Sequence, residues 1–179
     1  MNKYVKSVLV LTIICIIVGT MLAITNYVTG PIIADANRKK SLESCFKVMT
    51  EAEDFEEVDV SFLDVPSTIT NVYKEKNHKG FVFRMKTNGY KSGLVIMCGI
   101  SNDGKITGVT TLASEETVGI GKKTEDPDYE SQYIGKDKNL KGVEGISGAT
   151  ITSTAYKKAI NDAFKAFSLL EEAQKDGKI

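Results

Sequence analysis

At 179 residues the chain has room for one anchored domain of about 150 residues. Its 23 Lys and Arg are balanced by 23 Asp and Glu, so it lacks the basic excess that nucleic-acid binding needs. Trp is absent, and the single histidine, His78 in a polar Lys-Asn-His-Lys run, reads as a solvated loop residue and argues against a histidine-based triad. The cysteines Cys15, Cys45 and Cys98 show neither zinc-site spacing nor a disulfide framework. Cys45 with Cys98 is the one pairing worth testing, and no metal site is expected.

Ser7 through Ile24 is almost uninterruptedly apolar. Eighteen residues at helical rise span roughly 27 Å, close to the thickness of a bilayer core. A signal-peptide core would be shorter, and the Ala34-Asp35-Ala36 mimic of a cleavage site lies about ten residues further on. The segment is therefore expected to be a retained transmembrane anchor in contact with lipid. Lys3 and Lys6 on one side and Arg38, Lys39 and Lys40 on the other leave the orientation tied by charge.

Thr29-Gly30-Pro31 is expected to end the transmembrane helix, closing an anchor at residues 1–30. Ile32 to Met49 reads as a second, stalk-like helix. The acidic run from Thr50 to Val58 completes a linker over 31–58 as a solvated connection. The domain proper is expected over 59–179.

Within it, Ile69–Tyr73, Phe81–Lys86, Leu94–Ile100 and Ile106–Leu112 have the β-branched and aromatic content of strands. Asn88-Gly89 and Asp103-Gly104 are tight-turn dipeptides, which makes the last three strands an antiparallel meander. Residues 114–142 are polar and glycine-rich and read as a long functional loop. A final helix is expected from about Ile151 to Lys175, burying Ala155, Ala159, Ala163, Phe167 and Leu170 on the sheet. The fold class is α+β: an N-terminal transmembrane helix, then a small antiparallel sheet packed by helices.

The most informative residues are Ile146-Ser147-Gly148-Ala149-Thr150-Ile151-Thr152-Ser153-Thr154-Ala155, a small, hydroxyl-rich turn that runs into that helix. Ser147 and Gly148 let backbone approach a ligand, and the free N–H groups and positive dipole end of a helix favour an anion such as phosphate. Thr150, Thr152, Ser153 and Thr154 add hydroxyls that can bond phosphate oxygens or serve as attachment points. The plainer reading is that Ser and Thr here only cap the helix.

Ser147-Gly148-Ala149-Thr150-x-Thr152 resembles the flavinylation motif of the FMN-binding domain family, found in the G subunit of Rnf electron-transport complexes and in the C subunit of sodium-translocating NADH:quinone reductases. Glu144 stands where that family usually has Asp. Glu116-Thr117-Val118-Gly119-Ile120-Gly121-Lys122 is similar to the family's Glu-Thr-Pro-Gly-Leu-Gly run, with Val118 in place of Pro. The resemblance implies FMN held by a phosphoester on the Thr150 hydroxyl, with Ser147, Thr152 and Ser153 as phosphate neighbours in a turn shaped by Gly148 and Ala149. It places Glu116 and Thr117 near the ring or ribityl chain and lets Gly119 and Gly121 close the loop. Leu112 and Ile120 are the expected apolar walls.

The resemblance also implies a cytoplasmic N-terminus, an extracytoplasmic FMN domain, other membrane subunits as partners, and a separate flavin transferase that consumes FAD. No acid–base pair stands out and no catalytic residue is expected, which suits an electron relay within a membrane oxidoreductase. The reading that follows is the G subunit of an Rnf-type ferredoxin:NAD oxidoreductase coupled to sodium or proton translocation. One alternative is a covalent-FMN subunit of another extracytoplasmic system or of a quinone reductase. Another is a flavin-free anchored binding module.

Overall fold

The computed structural model describes residues 3–177; Met1, Asn2, Lys178 and Ile179, which the expected anchor and domain include, lie outside the described residues. Helix α1 (Lys3–Val48) is long and apolar enough to cross a membrane. It also corrects the expected break, because Pro31 lies inside it and the anchor and stalk are one helix. A proline removes only one N–H from the helical ladder, so the remaining bonds can carry the helix through it. Thr25 and Thr29 donate their hydroxyls to the carbonyls of Met21 and Thr25 at 2.9 and 2.8 Å, adding partners one turn before the proline. Contacts divide the chain into Met1–Lys40 and Ser41–Ile179.

The second unit is built on a five-stranded antiparallel meander in the order β1 (Phe55–Val58), β2 (Ile69–Glu75), β3 (Gly80–Thr87), β4 (Leu94–Ser101) and β5 (Ile106–Ala113). β1 corrects the expected solvated linker. Its acidic Glu56 and Glu57 mask an edge strand whose Phe55 is buried, and it pairs with β2 from Phe55↔Glu75 to Val58↔Val72. The Asp103-Gly104 turn forms as expected, with Gly104 at φ +68. Asn88-Gly89 does not make a two-residue turn: Thr87 pairs with Leu94, leaving the six residues 88–93 as a loop. His78 is exposed in the β2–β3 connection.

Strand alternation sends side chains to two cores. Phe81, Phe83, Met85, Ile96, Cys98 and Ile100 face one cluster, closed by the last helix, α3 (Thr150–Lys175), through Tyr156, Ile160, Ala163, Phe167 and Leu170. Full burial of each large apolar side chain contributes about 1.5–3 kcal/mol. Tyr156 occupies the stripe position expected for Ala155, which is only half-buried. Thr68 and Lys165 both donate to the buried Asp162 carboxylate, at 3.0 and 2.8 Å, which ties α3 to the start of β2.

On the opposite face Val82 and Met97 meet Cys45, Val48 and Met49 from the end of α1, with Leu112 packed against them. Cys45 and Cys98 are free thiols in different clusters, so the sheet lies between the two members of the candidate pair. Burial pushes the Cys45 thiol up to about 12 and raises Cys98 as well. Between Pro127 and Ser131 the expected long loop contains a short helix, α2, preceded by a 3-10 turn over Gly121–Glu125.

The end of α1 sits on paired glycines. Gly99 and Gly108 face each other across β4 and β5, and a Cβ on Gly108 would stand 2.7 Å from Val48 O and 2.8 Å from Val48 Cα. Thr107 completes the seat by donating to Val48 O at 2.6 Å. Gly108→Ala is therefore expected to destabilise the folded unit by about 1–3 kcal/mol, since the obstacle is backbone. Thermal unfolding of the full chain in detergent checks this, and an unchanged midpoint would contradict the close seating.

Candidate functional site

The hydroxyl-rich turn does not cap its helix. The residue before α3 is Ala149, at φ −122 and ψ 35, and no side chain bonds the first-turn N–H groups. Gly148 takes φ +80 with open space around it, the left-handed conformation that Gly adopts at no steric cost. The first helical turn has no acidic residue of its own, and the carboxylate beside it, Glu116, is taken up by the Thr152 hydroxyl and the Lys91 N–H. The simple capping role of Ser147 is thus not realised, and an anion-compatible helix end takes its place.

Gly148, Ala149, Thr150, Ile151 and Thr152 form one wall of a cavity of about 490 Å³, within the range of small-molecule sites. Glu116, Thr117, Ile120 and Gly121 from the β5–α2 connection form another, and Tyr90 from the β3–β4 loop completes the rim. The two motifs found in the sequence therefore meet. Thr150 is exposed and lines both this cavity and a smaller hollow on the other side of the turn. That second hollow, about 330 Å³, is where Ser147 lies, together with Tyr129, Glu144 and Lys157.

The neighbouring hydroxyls are engaged within the fold. Ser153 accepts the Ile146 N–H at 3.0 Å and donates to Ala149 O at 2.9 Å, fastening the turn to the helix. Thr152, 1% exposed, donates to Glu116 Oε2 at 3.1 Å. Thr154 is exposed but lies outside the larger cavity. Gly119, at φ +77, shapes the loop without lining the cavity. Leu112, expected as an apolar wall, packs instead with the cluster beneath α1 and is not in the cavity lining.

Glu116 is 4% exposed and organises the whole arrangement. Its Oε1 accepts the Lys91 N–H at 2.9 Å while its Oε2 takes the Thr152 hydroxyl. Cβ atoms placed on Gly89 and Gly121 would fall 2.3 and 2.5 Å from its two oxygens. A side chain at either position would have to push the carboxylate away from its present seat. Sequence reading missed the contribution of residues 88–93 because Asn88-Gly89 signals a hairpin turn so strongly. The Gly89-Tyr90-Lys91 run, an aromatic flanked by residues with no core periodicity, was the available clue.

Beneath the turn lie three tyrosines. Tyr129 and Tyr133 share a hydrogen bond of 3.0 Å between hydroxyls, and the Tyr156 ring lies 5.4 and 5.5 Å from theirs. Burial raises all three phenols above their ordinary range. Glu130 accepts the Thr111 N–H at 2.6 Å, and burial raises its carboxyl against the opposing effect of that bond. Folding thus favours the protonated acid. The stability this contributes is complete below the unfolded value of about 4.5 and is lost as pH rises through the higher folded one.

Two expectations follow from these geometries. Glu130→Gln keeps the acceptor for Thr111 and should flatten the decline in stability above the unfolded Glu value, as read from denaturation midpoints against pH; an unaltered profile would remove Glu130 as its source. A double-mutant cycle of Glu116→Ala with Thr152→Val should show a coupling of about 1–3 kcal/mol, as for a buried bond to a charged group. Additive effects would mean that this carboxylate does not hold the helix start.

Comparison with known proteins agrees with this site. The FMN-binding domain family matches residues 89–165, which span the Tyr90 loop, the Glu116 segment and the Thr150 turn. The chain is 31% identical to the G subunit of the Na(+)-translocating ferredoxin:NAD(+) oxidoreductase complex of Acetobacterium woodii, over 93% of each chain. It is 24% identical to the proton-translocating counterpart of Clostridium ljungdahlii, over 86% of this chain and 85% of that one. A shorter match, 33% over 39% of this chain and 35% of the other, links it to the C subunit of the Na(+)-translocating NADH-quinone reductase of Vibrio vulnificus. Similarity that runs nearly end to end, on a fold that joins both motifs in one cavity, places this chain in the family of G subunits of ion-translocating oxidoreductase complexes.

Proposed function

We propose that the chain is a membrane-anchored electron-relay subunit that carries FMN covalently on Thr150, within an Rnf-type ferredoxin:NAD oxidoreductase that couples electron transfer to ion translocation. The observation that carries this reading is the uncapped start of α3 with an exposed Thr150 at the mouth of a cavity large enough for a flavin ring. The relatives' names supply the complex and the matched domain family supplies FMN; the names differ in the ion, sodium in one and proton in another.

The residues fit the group. The N–H groups of the first turn of α3 would hold the phosphate, and Gly148 leaves its approach open. Glu116, though in the cavity wall, has both oxygens engaged and fixes the wall's shape. Thr117, Ile120 and Gly121 offer a mixed surface on one side, and Ile151 an apolar one on the other. When bound, the isoalloxazine supplies the redox chemistry, and the protein orients it and leaves one edge to partners.

Attachment is a phosphoryl transfer by a separate flavin transferase. The Thr150 hydroxyl oxygen bonds to the FMN phosphorus of FAD, AMP leaves, and the hydroxyl proton is released. The anchor in residues 7–24 sits among lipid with the N-terminus in the cytoplasm and the FMN domain outside, where a lost flavin could not be replaced. The other membrane subunits of the complex are its electron partners.

Co-expression of the full chain with a flavin transferase tests the reading. A mass gain of about 438 Da, one FMN less water, is expected on the peptide containing Thr150. Thr150→Ala should abolish it without loss of folding, as the side chain is exposed. Flavin retained by Thr150→Ala after denaturation would shift the acceptor to Thr152 or Thr154, and an unmodified wild-type chain would return the site to a flavin-free binding module.

A further inference from the structure

Several of the large apolar side chains exposed in the second unit lie beside the site. Among the described residues of that unit, Phe46, Phe62, Tyr90, Val118, Ile120, Ile134 and Ile151 are the exposed ones. Three of them, Tyr90 at 71%, Ile120 at 49% and Ile151 at 59% exposure, line the cavity beside Thr150. Tyr90 is the only aromatic in that lining among the described residues.

Its backbone, in contrast to its ring, is held tightly. The residue before it, Gly89, abuts the Glu116 carboxylate so closely that a Cβ would displace it, and the N–H of the residue after it, Lys91, bonds the same carboxylate at 2.9 Å. That carboxylate also receives the Thr152 hydroxyl, two residues from Thr150. One group therefore fixes both the base of Tyr90 and the helical turn that bears the attachment residue. A phenol ring presented on a fixed base, in the lining of a cavity that Ile120 and Ile151 also line, suits a flat apolar guest.

Resting on the flavin reading above, we infer that Tyr90 is the stacking platform of the site, lying against one face of the isoalloxazine, with Ile120 and Ile151 as apolar contacts in the walls around it. An electron-rich phenol in van der Waals contact with a flavin quenches its fluorescence: the excited ring takes an electron from the phenol and returns it, with no net chemical change. Phenylalanine stacks similarly but is too hard to oxidise to do this. The platform thus has a signature separable from attachment and from turnover.

The test uses the flavinylated full chain in detergent, with FMN load measured by intact mass and time-resolved flavin emission as the readout. Wild type should emit mainly with a lifetime at least about fivefold shorter than free FMN, and Tyr90→Phe at equal load should lengthen the mean lifetime by about the same factor. Tyr90→Leu should do so too and should also raise iodide accessibility about threefold, because one face is uncovered. A free-FMN-like lifetime in wild type, or an unchanged lifetime in Tyr90→Phe at equal load, overturns the platform while leaving the flavin attachment standing. A wild-type chain that takes no flavin overturns both.

Discussion

The Glu116 carboxylate joins three segments that are far apart in the chain. It accepts from a backbone N–H in the β3–β4 loop and from a hydroxyl in the first turn of α3, and glycines on two sides make room for it. A carboxylate this buried is costly unless its oxygens are partnered, so its bonds and its seat depend on each other. Everything distinctive about the site follows from this: the position of Tyr90, the closeness of Gly121, and the fixed start of the helix that bears Thr150. The remainder of the fold, a meander with a helix on one face and the end of α1 on the other, serves to bring those three segments to one corner of the sheet.

The second constraint is what the start of α3 omits. Helices that begin with Ser, Thr or Asp satisfy their own first N–H groups and offer little to a ligand. Here the chain is rich in hydroxyls yet places Ala149 at the cap and directs Ser153 and Thr152 to contacts inside the fold. The turn is stiffened from within while its N–H groups remain unused by side chains. That division of labour separates this turn from an ordinary helix start with similar composition.

Much of this was legible in the sequence, for identifiable reasons. The last four strands announced themselves through β-branched and aromatic content, and the last helix through its apolar stripe. What composition hid was set by tertiary context. β1 is acidic because only Phe55 of its four residues is fully buried. Pro31 sits in a helix although the Thr29-Gly30-Pro31 run reads as a stop, because a proline takes only one N–H from the helical ladder. The two motifs marked the site, but the Tyr90 loop was hidden behind a turn dipeptide that the register Thr87↔Leu94 turns into a longer connection. Leu112 failed as a wall because it packs with the cluster beneath α1.

The account's central claim is that the start of α3 holds a flavin phosphate esterified to Thr150. The phosphorus resonance of the flavinylated full chain, followed from about pH 5 to 8, tests it most directly. A phosphodiester has no ionisation in that interval, whereas a phosphate monoester titrates near pH 6. The account predicts a single resonance whose position does not move with pH and which survives denaturation on the protein. A resonance that titrates near pH 6, or one that leaves with the supernatant when the protein is precipitated, would contradict it.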